Sequence, residues 1–337
     1  MTHTAPRTLA RTTSTRPATT VVQARGLLIA VLSALAFSVS GPIAKPLLEN
    51  GWSLAAVLFV RMAVAGLVVS PALIRTLLRQ RRFLRTHWLS LVAFGLIPVA
   101  GCQLLYFSAM QRMPVAVALL IQYLAPVMLV LFVWLRTRTA PSRAVIAGSV
   151  VAIAGLVLVV DIAGARFDPL GTVFALLAAV CVCFYFVMSE RTGPDLPPLA
   201  LASGGLFVGA AAIGVLALVG VLPFTAPPLT VPVAGVPLPA IAALLLVGVC
   251  TAIGYSFGVM AVPLIGSRVA SFVGLSEVLF ALMFAWILLA ETPAPIQFAG
   301  GALILVGVVL VRLDARAAAA VSAPVEPLPG EVGPGIR

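Results

Sequence analysis

Ten apolar stretches of similar length follow one another along this chain, and they restrict its fold more than any motif does. They span 26–45, 53–74, 88–110, 114–135, 143–161, 169–189, 198–220, 238–260, 267–290 and 295–313. Each is close to the roughly 20 residues an α-helix needs to cross the hydrocarbon core of a bilayer. Of the 337 residues, 62% are hydrophobic and 9% charged, whereas soluble domains carry about 25% charged residues. The expected fold class is an all-α polytopic membrane protein with ten transmembrane helices. Flanking stretches 1–25 and 314–337, polar or rich in Ala and Pro, are expected to be disordered cytosolic tails. Residues 221–237, uncharged and Pro-rich, read as an external connection.

The net charge of +11 does not indicate nucleic-acid binding, because the basic residues sit in short connections without interleaved aromatics. They report topology instead. With the N-terminus inside, seventeen basic residues fall on the inner side, among them Arg75, Arg79, Arg81, Arg82 and Arg85. The outer side holds three, Lys45, Arg112 and Arg166, while Arg61 lies within a span. Positive charge concentrates on cytoplasmic loops, so both termini are expected in the cytoplasm of a cell (inner or plasma) membrane. The four cysteines lie within apolar stretches, and the only histidines are His3 and His87. No metal-ligand spacing arises, and neither a metal nor another cofactor is expected.

The chain also matches itself at a shift of 152 residues. Phe132 meets Phe284, Trp134 meets Trp286, Pro141 meets Pro293, and Gly148 and Gly155 meet Gly300 and Gly307. Five spans per half is an odd number, so the second half enters the membrane in the opposite sense. Inverted repeats of this kind build transporters that bind substrate near the midplane between the halves.

Tyr106–Phe132 (YFSAMQRMPVAVALLIQYLAPVMLVLF) and Gly266–Val311 carry a more specific signal. Their small-residue segments, mid-helix Pro or Glu and Gly-punctuated last helix resemble the EamA branch of the drug/metabolite transporter superfamily. The resemblance covers roughly 26–313 and divides it into a first five-helix repeat, 26–161, and a second, 168–313. The run SEVLF…LLAETPAPIQ is similar to the threonine/homoserine exporter group. Departures are Val278, where the family often has Pro, and Thr137-Arg138-Thr139 in place of the "LGE" element in the first half.

Two ionisable residues lie well inside spans, Arg61 in the second and Glu277 in the ninth. A charge at membrane depth costs roughly 2.5–3.5 kcal/mol on insertion scales, so each needs a partner or a task. Paired with a cation, Glu277 would stay ionised; alone in a poorly hydrated cavity, it would hold a proton and suit proton-coupled exchange. Alternatively, both residues brace helices as polar glue. Pro126 removes a hydrogen bond to the Gln122 carbonyl and is expected to kink the fourth span. Ala125-Pro126 aligns with Glu277-Val278, so kink and carboxylate occupy related positions. Gln103, Tyr106, Gln122, Tyr123, Tyr255 and Ser256 complete the candidate substrate or proton pathway, since such groups bind polar solutes without burying charge. Gln103 and Tyr255 coincide at the 152-residue shift. Tyr185 and Ser271 are weaker candidates.

No nucleotide-binding glycine loop is present. With no intramembrane His or Asp, acid/base or metal catalysis has few parts, and the chain is not expected to be an enzyme. The favoured reading is a secondary active transporter working by alternating access, exporting amino acids or related compounds against protons. Broad-specificity drug efflux, a passive facilitator and a non-transport scaffold are the alternatives. The partners expected are a small-molecule substrate, protons and the bilayer.

Overall fold

A computed structural model describes residues 16–110, 112–113, 118, 121–160, 168–227, 230–233, 235–289 and 294–321. The first half comprises α1 (Arg16–Glu49), α2 (Leu54–Arg79) and α3 (Phe83–Phe94), which runs through a π-helical segment at Gly95–Gly101 into α4 (Cys102–Met110). It continues with α5 (Ala125–Thr137) and α6 (Arg143–Val160). The second half holds α7 (Pro169–Glu190), α8 (Pro198–Leu218), a hairpin of β1 (Thr230–Val233) and β2 (Val236–Pro239), and α9 (Ala240–Ile265). It ends with α10 (Ser267–Gly274), α11 (Ser276–Leu289) and α12 (Pro295–Val321).

Among the described residues, seven helices are long and apolar enough to cross a membrane, and three shorter apolar helices accompany them: Ala125–Thr137, Arg143–Leu158 and Pro295–Val311. The expected all-α class needs one correction, because β1 and β2 pair antiparallel with Val231 opposite Leu238. Proline normally disrupts a sheet, but in a two-stranded hairpin both strands are edges, and Pro232, Pro237 and Pro239 are tolerated there. The turn is set by Gly235 at φ +76°, a left-handed conformation that glycine adopts without penalty. Helix ends also exceed the apolar stretches. α1 starts at Arg16 rather than 26, since nothing in Val21–Arg25 breaks a helix. α12 continues past 313 to Val321 through Ala317–Ala320, alanine being the strongest helix former.

Helix packing follows the repeat. α1 packs along α9, and the counterpart pair, α7 with the α3–α4 span, packs likewise. α2 packs on α8 and α6 on α12, each helix meeting its own equivalent. In the last pair a Cβ on Gly155 would lie 2.5 Å from the Gly300 carbonyl, and one on Gly148 would lie 2.8 Å from the Gly307 carbonyl. Since Gly148 is equivalent to Gly300 and Gly155 to Gly307, each position meets the equivalent of the other. That is an isologous contact across a twofold axis, and it requires α6 and α12 to run antiparallel.

Two helix breaks also fall at equivalent positions. The chain turns at Tyr123–Leu124 before α5, and at Leu275 between α10 and α11; a shift of 152 places Tyr123 on Leu275. The first break has the expected cause, since Pro126 sits in the first turn of α5 and cannot donate to Gln122. It is a full interruption, not the kink foreseen. The second break has no proline. Gly274 weakens the helix there, and the Ser276 hydroxyl donates to the Val273 carbonyl at 2.7 Å, competing with the helical bond.

Candidate functional site

The second break delivers Glu277 to the first turn of α11, where unpaired backbone N–H groups and the helix dipole favour a carboxylate. Glu277 lines a cavity of about 150 Å³ between the two halves. Gln103 and Tyr255, equivalent in the repeat, face it from α4 and α9, and so do the equivalent pair Gln122 and Gly274. The cavity therefore straddles the axis that relates the halves, and Glu277 is the carboxylate on its wall.

The Tyr123 hydroxyl, on the first break, lies close enough to the Glu277 carboxylate to interact with it. The two helix breaks thus bring a hydroxyl and a carboxylate near each other. Gln122 donates from Nε2 to the Cys102 thiol at 3.7 Å, and its Oε1 is buried without a hydrogen-bond partner. A buried acceptor left open costs about 1–3 kcal/mol, a cost that a donor on a bound solute would offset. The Tyr185 hydroxyl also lacks a partner and lies on the cavity wall. Tyr185 stacks edge-on against Tyr255 at 6.0 Å and Phe186 at 5.1 Å, and Tyr255 against Phe37 at 5.0 Å. These rings give the cavity a largely apolar lining around a few polar groups, the usual composition of a small-molecule site.

Arg61, a candidate for the substrate or proton pathway, is not among the residues lining the cavity. It is buried on α2, within electrostatic reach of Tyr255 and Glu277 but without an ion pair among the described residues. Its Nε has no hydrogen-bond partner. Tyr106 also stands off the cavity wall, packed on Phe107 with ring centroids 5.3 Å apart, in the cluster of Ala109, Met113 and Ala175. Pro126 shapes the break without touching the cavity, and Ser256 lies outside its wall. Ser271 donates to the Arg268 carbonyl of its own helix at 2.8 Å.

The wall also includes residues that the sequence did not single out. Ser33 on α1 lines the cavity and donates to the Gly254 carbonyl at 2.7 Å, joining α1 to α9. Gly258 faces the same space, and a Cβ there would collide with the Tyr185 hydroxyl. Gly258→Ala is therefore expected to push Tyr185 into the cavity and weaken solute binding severalfold, measured as a rise in transport KM with little change in melting temperature. Among the described residues no group of three or more His, Cys, Asp or Glu is arranged to hold a metal.

The class defined by this architecture is a helical membrane protein of two related halves with a largely apolar cavity, carrying a few polar groups, between them. The chain matches the EamA-like transporter family twice, over residues 24–161 and 169–313. It belongs to that family, one of membrane transporters of the drug/metabolite type. One solved crystal structure of a protein superposes with a TM-score of 0.64 at 23% identity, covering 90% of this chain and 99% of the other; that likeness establishes the fold. No curated protein matches the chain.

Proposed function

We propose that the protein is a secondary active transporter that moves small amino acids or related metabolites outward in exchange for protons. The observation carrying this reading is a single carboxylate, Glu277, on the wall of a cavity shared by both repeats. At about 150 Å³ the cavity holds roughly the volume of five waters. Drug-sized ligands occupy about 300–1,000 Å³, so the size favours a small metabolite over broad-specificity drug efflux. In this reading ten spans form two inverted halves, both termini face the cytoplasm of the cell membrane, and the resemblance to the threonine/homoserine exporter group gives the substrate class. The polar groups on the wall bind and orient a solute and carry out no reaction.

The test is uptake into proteoliposomes with an imposed pH gradient and a panel of labelled amino acids. Accumulation of at least one amino acid that collapses with the gradient supports the proposal. Transport indifferent to the gradient indicates a passive facilitator, and no transport of any amino acid removes the substrate class. With a transported solute in hand, Gln103→Ala and Tyr255→Ala are each expected to raise KM severalfold. Unchanged KM in both would take these residues out of the site.

A further inference from the structure

Away from the central cavity, a second pocket of about 480 Å³ opens where α2 ends and α3 begins. Arg81, Arg82, Thr86 and His87 line it together with the buried Phe83, and Asp195 faces them from the connection between α7 and α8. Gln80 donates from Nε2 to the Pro194 carbonyl at 3.2 Å, which ties the two connections together and fixes the pocket's width. The Phe83 and His87 rings lie 5.1 Å apart and stiffen the inner wall. Neither Arg81 nor Arg82 has an ion-pair partner among the described residues, so two guanidinium groups against one carboxylate leave the pocket with a net positive charge. Beside it, α2 and α3 present a belt of apolar side chains: Leu78 is 78% exposed, Leu84 51%, Trp88 58% and Leu89 63%.

We propose that this pocket binds the phosphate group of an anionic phospholipid. Arg81 and Arg82 supply planar donor forks that match phosphate oxygens, and the Thr86 hydroxyl adds a neutral donor. The adjoining leucines and Trp88 suit acyl chains descending from the same headgroup, contacts that a free phosphate ion would not use. Basic pockets between membrane helices bind anionic headgroups in this way.

The experiment is native mass spectrometry and thermal melting of the purified full-length protein with phosphatidylglycerol, phosphatidylcholine or inorganic phosphate. Phosphatidylglycerol is expected to bind and stabilise in preference to phosphatidylcholine. Arg81→Gln/Arg82→Gln is expected to weaken that binding roughly tenfold or more, while Arg75→Gln/Arg79→Gln, the same charge change outside the pocket, leaves it intact. Thr86→Ala, a milder change, is expected to give a smaller loss in the same direction. Equal loss in both double variants would mean diffuse surface charge and overturn the site. Equal binding of the two lipids would overturn it as well. Inorganic phosphate binding as tightly as phosphatidylglycerol would overturn the lipid assignment.

Discussion

Gly155→Leu is expected to prevent accumulation of folded protein, and Gly155→Ala to cost about 1–3 kcal/mol, the usual range for overpacking. At this position the neighbours are the Gly300 carbonyl at 2.5 Å, the Ile304 backbone nitrogen at 2.7 Å and the Leu303 Cβ at 2.8 Å from an added Cβ. None is the end of a flexible side chain, so the two helices must separate. Helix association in lipid depends on such close packing at small residues, and α6 with α12 is one of the two pairs in which equivalent helices of the two halves meet. Gly41→Ala is the control, because a Cβ there meets nothing within 4 Å and alanine is the better helix former. Fluorescence-detected size exclusion and melting in detergent separate the outcomes. A Gly155→Leu protein that is monodisperse and melts like wild type would refute this packing.

Glu277→Gln is expected to abolish accumulation driven by a pH gradient while leaving solute exchange in place. The amide keeps the shape and polarity of the side chain, but it cannot release a proton. With one proton exchanged per solute, each pH unit supplies about 1.36 kcal/mol, which sustains roughly tenfold accumulation in wild type. The variant should equilibrate to a ratio of one. Tenfold accumulation by the variant would show that Glu277 braces helices and does not couple transport. Tyr123→Phe removes the hydroxyl near Glu277 without touching the carboxylate, so it should shift the pH dependence of transport and retain accumulation.

The sequence disclosed the repeat, the intramembrane carboxylate and the first helix break, because each rests on one-dimensional facts. A proline cannot donate, a glutamate is conspicuous in an apolar run, and Trp, Pro and Gly fall in register. The second break was harder to see. Gly274 and Ser276 bracket it, yet glycine and serine are common in membrane helices, so neither singles out Leu275. Side-chain placement around the axis was only partly legible. Gln103, Gln122, Tyr255 and Glu277 do converge on one cavity. Arg61, at comparable depth, is not among the lining residues, since depth along a helix says nothing about which neighbour the side chain faces. Ser33 and Gly258 were hidden for a different reason, since a lone serine or glycine usually serves helix packing. Their part in the wall emerges only once α1, α7 and α9 are together. The hairpin at 230–239 escaped because its prolines argue against strands everywhere except at edges.

The most direct measurement of the central claim uses Cys102, which lines the cavity beside Gln103 and Gln122. In a transport-competent protein with Cys181, Cys183 and Cys250 replaced by alanine, Cys102 is labelled with a small thiol reagent in the presence and absence of saturating transported solute. Occupancy of the cavity predicts that solute slows labelling severalfold in proportion to its KM. An unchanged labelling rate at saturating solute would contradict the assignment of this cavity as the substrate site.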